Sequence, residues 1–138
     1  MKSIILTKYG APNVLQVQEF TDPEPSSNQV RIKVHYAGIN FAEIMARMKL
    51  YPGGPKPGSV LGGEVSGVID KLGDNVQGLD IGQKVMGLSL NGSYSSKVCM
   101  DSKAIIPLPE KFNLDEAAAF PVIYITAYMM MFDLGNLQ

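Results

Sequence analysis

From Val30 to Tyr36 apolar and polar residues alternate without a break: Val30, Ile32, Val34 and Tyr36 on one face, Arg31, Lys33 and His35 on the other. Successive side chains of an extended chain point to opposite faces, so this run predicts a half-buried strand of an antiparallel sheet. It also places the single histidine, His35, on the wet face beside Arg31 and Lys33, a poor setting for a catalytic imidazole. Similar runs recur along the chain. Residues 3–7 and 14–20 flank a turn at 9–13, and residues 22–28 are a proline-rich loop. Residues 59–72 are strand-like but interrupted by Gly62, Gly63 and Gly67, where a bulge or a close approach is expected. Residues 84–90 and 94–100 are joined by Asn91-Gly92, a hairpin signal, and 103–108 form a further strand. Many short strands separated by turn residues predict a sandwich or a partly open barrel.

The residues between Gly38 and Gly67 break this rhythm. Phe41, Ile44, Met45 and Met48 fall at helical spacing and predict one apolar stripe over two turns. Asn40 before them and Glu43 three places on form a capping-box pattern. Residues 51–58 are a Pro/Gly loop. Near the end, Asn113 and Glu116 repeat the capping-box spacing. A second helix is expected from Pro121 to about Leu134, with Gly135 as its C-cap. The apolar run 117–132 is shorter than the roughly 20 residues that span a bilayer, and it is read as a buried helix.

Composition narrows the function classes. The 138 residues carry Lys+Arg 12 against Asp+Glu 13, a balance that gives no electrostatic reason for a nucleic-acid or acidic-membrane partner. One cysteine, Cys99, excludes an internal disulfide framework and suits a reducing, cytoplasmic setting. The N-terminal apolar run is too short for a signal peptide. A catalytic zinc takes three ligands from Cys, His and carboxylates, and with a single Cys and a single His no such site is expected. No serine stands in a nucleophile elbow. The segment Gly62-Gly-Glu-Val-Ser-Gly67 lacks the Lys-Ser/Thr ending of a phosphate loop. Glu64, in a strand of small residues, is read as a buried hydrogen-bonded carboxyl, and Cys99 as a packed sheet residue.

Five segments in fixed order carry a family resemblance: Gly38-Ile-Asn-Phe-Ala-Glu-Ile44, Gly62-Gly-Glu-Val-Ser-Gly67, Leu72-Gly-Asp-Asn-Val76, Gly82-Gln-Lys-Val-Met-Gly87, and Glu116-Ala-Ala-Ala119 with Tyr124-Ile-Thr-Ala-Tyr128. Together they resemble the N-terminal, GroES-like domain of zinc-independent medium-chain dehydrogenases/reductases of the quinone oxidoreductase (zeta-crystallin) type, most of all homologues of the vesicle amine transport protein. The resemblance implies a mainly β (α+β) fold with short helices, a GroES-like partly open β-barrel. It assigns residues 1–120 to that catalytic domain and 121–138 to a linking helix. The linking helix leads towards a Rossmann domain that these residues do not contain, so the chain resembles a fragment.

What the resemblance implies for function follows residue by residue. Zinc-containing relatives place a cysteine at Asn40 and a histidine at Gly63, so no metal is expected. In zinc-independent relatives the residue at Asn40 lies against the nicotinamide, giving Asn40 a cofactor and catalytic role. Thr126 matches a hydroxyl near the nicotinamide, and its bond to a preceding carbonyl is an equal alternative. Phe41, Met45, Arg47 and Tyr51 border the substrate cleft. Tyr51 is also the candidate acid, although lining the cleft suits it better, and Met45 stands where an aromatic is common. Glu43 and Gln83 each stand in place of an aspartate. The implied activity of the intact protein is hydride transfer from NADPH to a quinone or α,β-unsaturated carbonyl (enone), by a homo-oligomer without an integral membrane segment. The fragment alone is expected to be inactive, and its helix 122–134 and one strand edge are expected to lack their usual cover. The alternative is a non-catalytic binding or membrane-associated protein that keeps the reductase fold.

Overall fold

The computed structural model describes residues 1–137; Gln138, the last residue of the expected linking segment, lies outside them. Among the described residues seven strands form two antiparallel sheets. Strands β1 (Lys2–Leu6) and β2 (Leu15–Glu19) make a two-stranded ribbon, with Lys2 opposite Glu19 and Leu6 opposite Leu15. The other sheet runs β6-β3-β4-β5-β7, from β3 (Gln29–Ala37), β4 (Glu64–Leu72), β5 (Lys84–Leu88), β6 (Lys97–Asp101) and β7 (Ile105–Pro107). Isolated bridges from Ser3 to Ser95 and from Ile5 to Val60 tie the ribbon to the loops of the larger sheet. Among the described residues three short α-helices complete the fold: α1 (Phe41–Arg47), α2 (Leu114–Ala118) and α3 (Pro121–Tyr128), the last continued by a wider-turned segment Met129–Leu134. This is the mainly β, partly open barrel with short helices that the sequence implies.

The core follows from the alternation. Val30 and Ile32 of β3 pack with Val65 and Ile69 of β4, Val85, Val98, Met100 and Ile105. A smaller cluster, Leu6, Val14 and Leu61, lies under the ribbon. Each such side chain contributes roughly 1.5–3 kcal/mol through removal from water. The alternation fails at its end, however. The β3–β4 register shifts between Val34 and Tyr36, so His35 sits in a bulge and Tyr36, expected inside, is 51% exposed. His35 itself is exposed, as the strand pattern predicts. Gly67 stands opposite Val34, and a Cβ there would overlap the Lys33 carbonyl, which is why this strand position is glycine.

Several expected features are corrected. Asn91-Gly92 does not turn a hairpin: β5 pairs with β4 and β7, while β6 pairs with β3. The backbone donors of this loop bond Leu61 and Gly62 instead, Tyr94 N–H reaching the Leu61 carbonyl at 2.9 Å. The apolar stripe of α1 is not buried. Phe41 is 71% and Met48 49% exposed, Ile44 is also exposed, and only Met45 is half-buried. The helix is seated instead through Ala46 and Arg47. Asn113 begins α2 without a side-chain cap bond. The apolar run 117–132 is not a buried helix, since everything from Ile123 to Leu137 is exposed. The exposure of residues 123–134 agrees instead with the expectation that this helix lacks its usual cover in these residues alone. Gly135 is the C-cap of the wider-turned segment, as expected, but at φ −83°, and Asn136, at φ 52°, is the left-handed residue.

Candidate active site

The site is built at the mouth of α1. Asn40 is the extended N-cap residue, and Glu43 in the first turn reaches back so that its Oε2 accepts the Asn40 N–H at 2.8 Å. The Asn40 side chain bonds elsewhere as well: its Nδ2 donates to Oε1 of Glu64 at 2.8 Å. The other oxygen of Glu64 accepts the backbone N–H of Val122, in the first turn of α3, at 2.8 Å. Glu64 is 1% exposed. It fits because residue 38 is glycine; a Cβ there would overlap Oε1 and lie 2.6 Å from Cδ of Glu64 and 2.7 Å from the Ala118 carbonyl. One buried carboxylate thus joins the head of α1 to the head of α3.

Beside this junction lies a cavity of about 280 Å³. Asn40, Glu43 and Ala46 form one wall, Tyr51 and the loop after it a second, and Gly63, Asn91 and Val122 the rest. A Cβ on Gly63 would stand 3.2 Å from Glu43 Oε1, so the glycine keeps this wall open. Gly62, at φ 98°, adopts a backbone that other residues avoid, with Tyr94 packed against it. The Tyr94 hydroxyl is buried and has no hydrogen-bond partner among the described residues. Its burial, with the nearby charges of Glu43 and Glu64, holds the phenol well above its ordinary pKa. A larger, shallower depression of about 500 Å³, lined by His35, Tyr36, Ile39 and Tyr94, holds none of the site residues expected from sequence.

Of those expected residues, Asn40 and Tyr51 line the 280 Å³ cavity; Phe41, Met45, Arg47 and Thr126 do not. Phe41 and Thr126 are exposed to solvent, and Met45 is half-buried. Arg47 is buried and donates from Nη1 to the Gly10 carbonyl, which fastens the end of α1 to the turn after β1. Sequence reasoning did not find the loop at Ser89–Asn91 or the Val122 N–H as parts of the site. Their approach depends on crossings of the sheet that leave no local pattern. Glu64 carried a signal, an acid among small residues in a strand, but its two partners are far away in sequence. Among the described residues no group of His, Cys, Asp and Glu side chains could hold a metal ion. No helix among them is long and apolar enough to cross a membrane.

Comparison with known proteins agrees with this architecture. Residues 26–110 match the alcohol dehydrogenase GroES-like domain. The chain is 34% identical over 138 residues to the mouse synaptic vesicle membrane protein VAT-1 homolog-like, covering all of this chain and 33% of that protein. The crystal structure of the human VAT-1 homolog-like protein superimposes with a TM-score of 0.96 at 34% identity, over 100% of this chain and 45% of that one. The Escherichia coli quinone oxidoreductase crystallised with NADPH gives a TM-score of 0.89 at 32% identity, over 95% and 40%. The chain thus spans about a third of the length of its curated relative. A glycine-pocketed carboxylate behind a helix-capping asparagine, in a barrel of this topology and with these relatives, identifies the chain as an alcohol dehydrogenase GroES-like domain of the zinc-independent, quinone oxidoreductase type of medium-chain dehydrogenase/reductase.

Proposed function

We propose that this chain supplies the substrate side of the site in an NADPH-dependent oxidoreductase acting on a quinone or an α,β-unsaturated carbonyl. The observation that carries the reading is the cavity at Asn40, in a fold that superimposes on a quinone oxidoreductase crystallised with NADPH. A volume of about 280 Å³ lies at the small end of ligand pockets, which run from about 300 to 1,000 Å³. It suits one ring of a dinucleotide and not the whole molecule. The polar groups at its wall, Asn40 and Tyr51, suit a nicotinamide carboxamide and the oxygen of a carbonyl acceptor. The pyrophosphate and adenosine would be held by a Rossmann domain reached through residues 121–138.

When bound, NADPH supplies the hydride, and a proton completes reduction of the quinone to a quinol or of the enone to a saturated carbonyl. The chain's own residues have the remaining tasks. Asn40, held by Glu43 and Glu64, orients the ring; Gly63 and the walls around it exclude water. Tyr51 is 48% exposed at the rim, where it meets the acceptor oxygen. A cytosolic location and a homo-oligomeric state belong to the same proposal. The 138-residue chain alone is expected to turn over no substrate and to bind NADPH very weakly; micromolar binding by it would contradict this.

A second reading is favoured by the relatives named as synaptic vesicle membrane proteins and by the exposed apolar surface of α3. In it the fold serves a non-catalytic, membrane-associated role. The deciding experiment is NADPH oxidation, with a panel of quinones and enones, by the protein that joins this chain to a dinucleotide-binding domain. Turnover supports the first reading. Bound NADPH without turnover on any acceptor supports the second.

A further inference from the structure

We infer that Glu64 is a positioning residue: it selects the orientation of the Asn40 amide and couples that orientation to α3. The inference deepens the reading above, since it rests on Asn40 being the ring contact. An ionised carboxylate only accepts hydrogen bonds, whereas an amide has one accepting and one donating end. Oε1 of Glu64 at 2.8 Å therefore admits only the NH2 end of Asn40 and turns Oδ1 away from itself. The second oxygen is already committed to the Val122 N–H at 2.8 Å, so the carboxylate cannot rotate without losing a donor of α3. The seat is tight on its remaining side, because Gly38 packs so closely against the carboxylate that a Cβ there would overlap Oε1. At 1% exposure, water does not substitute for either partner. A movement of α3 is thus transmitted to Asn40 through two hydrogen bonds and one rigid group. α3 is the element through which a cofactor domain would be reached.

The arrangement makes an unusual substitution test possible. In Glu64→Gln the side chain keeps one acceptor for two donors. If Val122 keeps it, the new NH2 faces residue 40 and the Asn40 amide must invert. Changing both residues, N40D/E64Q, exchanges donor and acceptor and rebuilds the pair with reversed polarity.

The first measurement uses the 138-residue chain without cofactor, by NMR of side-chain amides. In the wild type the Asn40 NH2 protons should exchange with solvent roughly tenfold or more slowly than exposed amides, as for a hydrogen bond to a charged group. In E64Q that protection should be lost, and in N40D/E64Q it should reappear on the NH2 of the introduced glutamine. Wild-type Asn40 protons exchanging like exposed ones, or a double variant whose introduced glutamine is unprotected, would overturn the inference. The second measurement uses the protein with its dinucleotide-binding domain. E64Q should lower kcat with a smaller change in KM for the acceptor, and N40D/E64Q should recover part of the loss. Unchanged kcat in E64Q overturns the positioning role where the wild type turns over. Correct NMR behaviour without any wild-type turnover overturns only the enzymatic reading.

Discussion

Arg47 and Gly10 are bonded in both directions: the guanidinium donates to the Gly10 carbonyl, and the Gly10 N–H donates to the Arg47 carbonyl at 3.0 Å. The C-terminal end of α1, whose apolar stripe faces outward, is held against the turn after β1 by this pair. Removing the side chain in Arg47→Ala leaves the Gly10 carbonyl without its side-chain donor and opens space beside a half-buried backbone. The expected loss is about 1–3 kcal/mol of unfolding free energy, the range for an uncompensated buried polar group. Urea unfolding followed by circular dichroism measures it. An unchanged midpoint would return Arg47 to the cleft role implied by its family.

Gly38→Ala should be more damaging than a one-methyl change suggests. The added Cβ overlaps Glu64 Oε1 and lies 2.7 Å from the Ala118 carbonyl, so a buried carboxylate and a backbone segment would both have to move. Overpacking of this kind costs about 1–3 kcal/mol, and losing a Glu64 bond adds to it. Gly78→Ala is the matched control, with a positive φ but nothing near its Cβ. Gly38→Ala is expected to unfold at lower urea than Gly78→Ala. The reverse order would show that Glu64 is not seated as described.

Local signals proved legible and long-range ones did not. The Asn40–Glu43 box was readable because both residues lie within one helical turn. Val30 and Ile32 were readable as core because alternation is a property of the strand alone. The bulge at His35 was not, since it is set by the register on β4. Asn91-Gly92 carried a true turn signal, but the carbonyls of Leu61 and Gly62 competed for the loop's donors and took them. In α1 the helical period was correct and its outward direction was decided by Ala46 and Arg47. The Glu64–Val122 bond spans 58 positions, and no spacing rule reaches that far.

Acid should disconnect the N-terminus. Hydrogen bonding to Lys97, then to the N-terminal ammonium, lowers the Asp22 pKa from 3.8 to about 2. A carboxylate with a depressed folded pKa contributes stability that is present above its unfolded value and is lost as pH falls through its folded one. The window for Asp22 is therefore about pH 4 down to about pH 2. The Asp22 carboxyl carbon should titrate near the lower end of this window in the folded chain. In Asp22→Asn the corresponding slope of stability against pH should disappear. A titration midpoint near 4 would show that Lys97 does not engage it in solution.

Tyr94→Phe should leave stability unchanged or raise it by up to about 1 kcal/mol, because it removes a buried hydroxyl that has no partner among the described residues. The ring, packed against Gly62, is kept. The wild-type phenol, raised above its ordinary value of 10.0 first by burial and then by Glu43 and Glu64, stays protonated in the folded state after an unfolded tyrosine has ionised. A raised folded pKa gives stability that is present below about pH 10 and falls as pH climbs beyond it. That alkaline loss should be smaller in Tyr94→Phe. A clear destabilisation at neutral pH would mean that the hydroxyl has a bonded partner.

The outermost helix sets the last expectation. Ile123, Tyr124, Ile125, Tyr128 and the methionines after them are all exposed on α3 and its extension, with Tyr124 stacked on Phe120 at 4.3 Å. An exposed apolar surface of this extent on a chain with net charge −1 meets little electrostatic repulsion from a second copy. The 138-residue chain should therefore associate as its concentration rises, through α3 and not through the sheet. Ile123→Lys with Tyr128→Glu places charges on that helix without touching Pro121 or the Val122 N–H that Glu64 accepts. Sedimentation velocity should show the wild type moving to larger species with concentration and the double variant remaining monomeric. Equal association in both would place the contact elsewhere, with the solvent-facing edge of β7 the next strand to block.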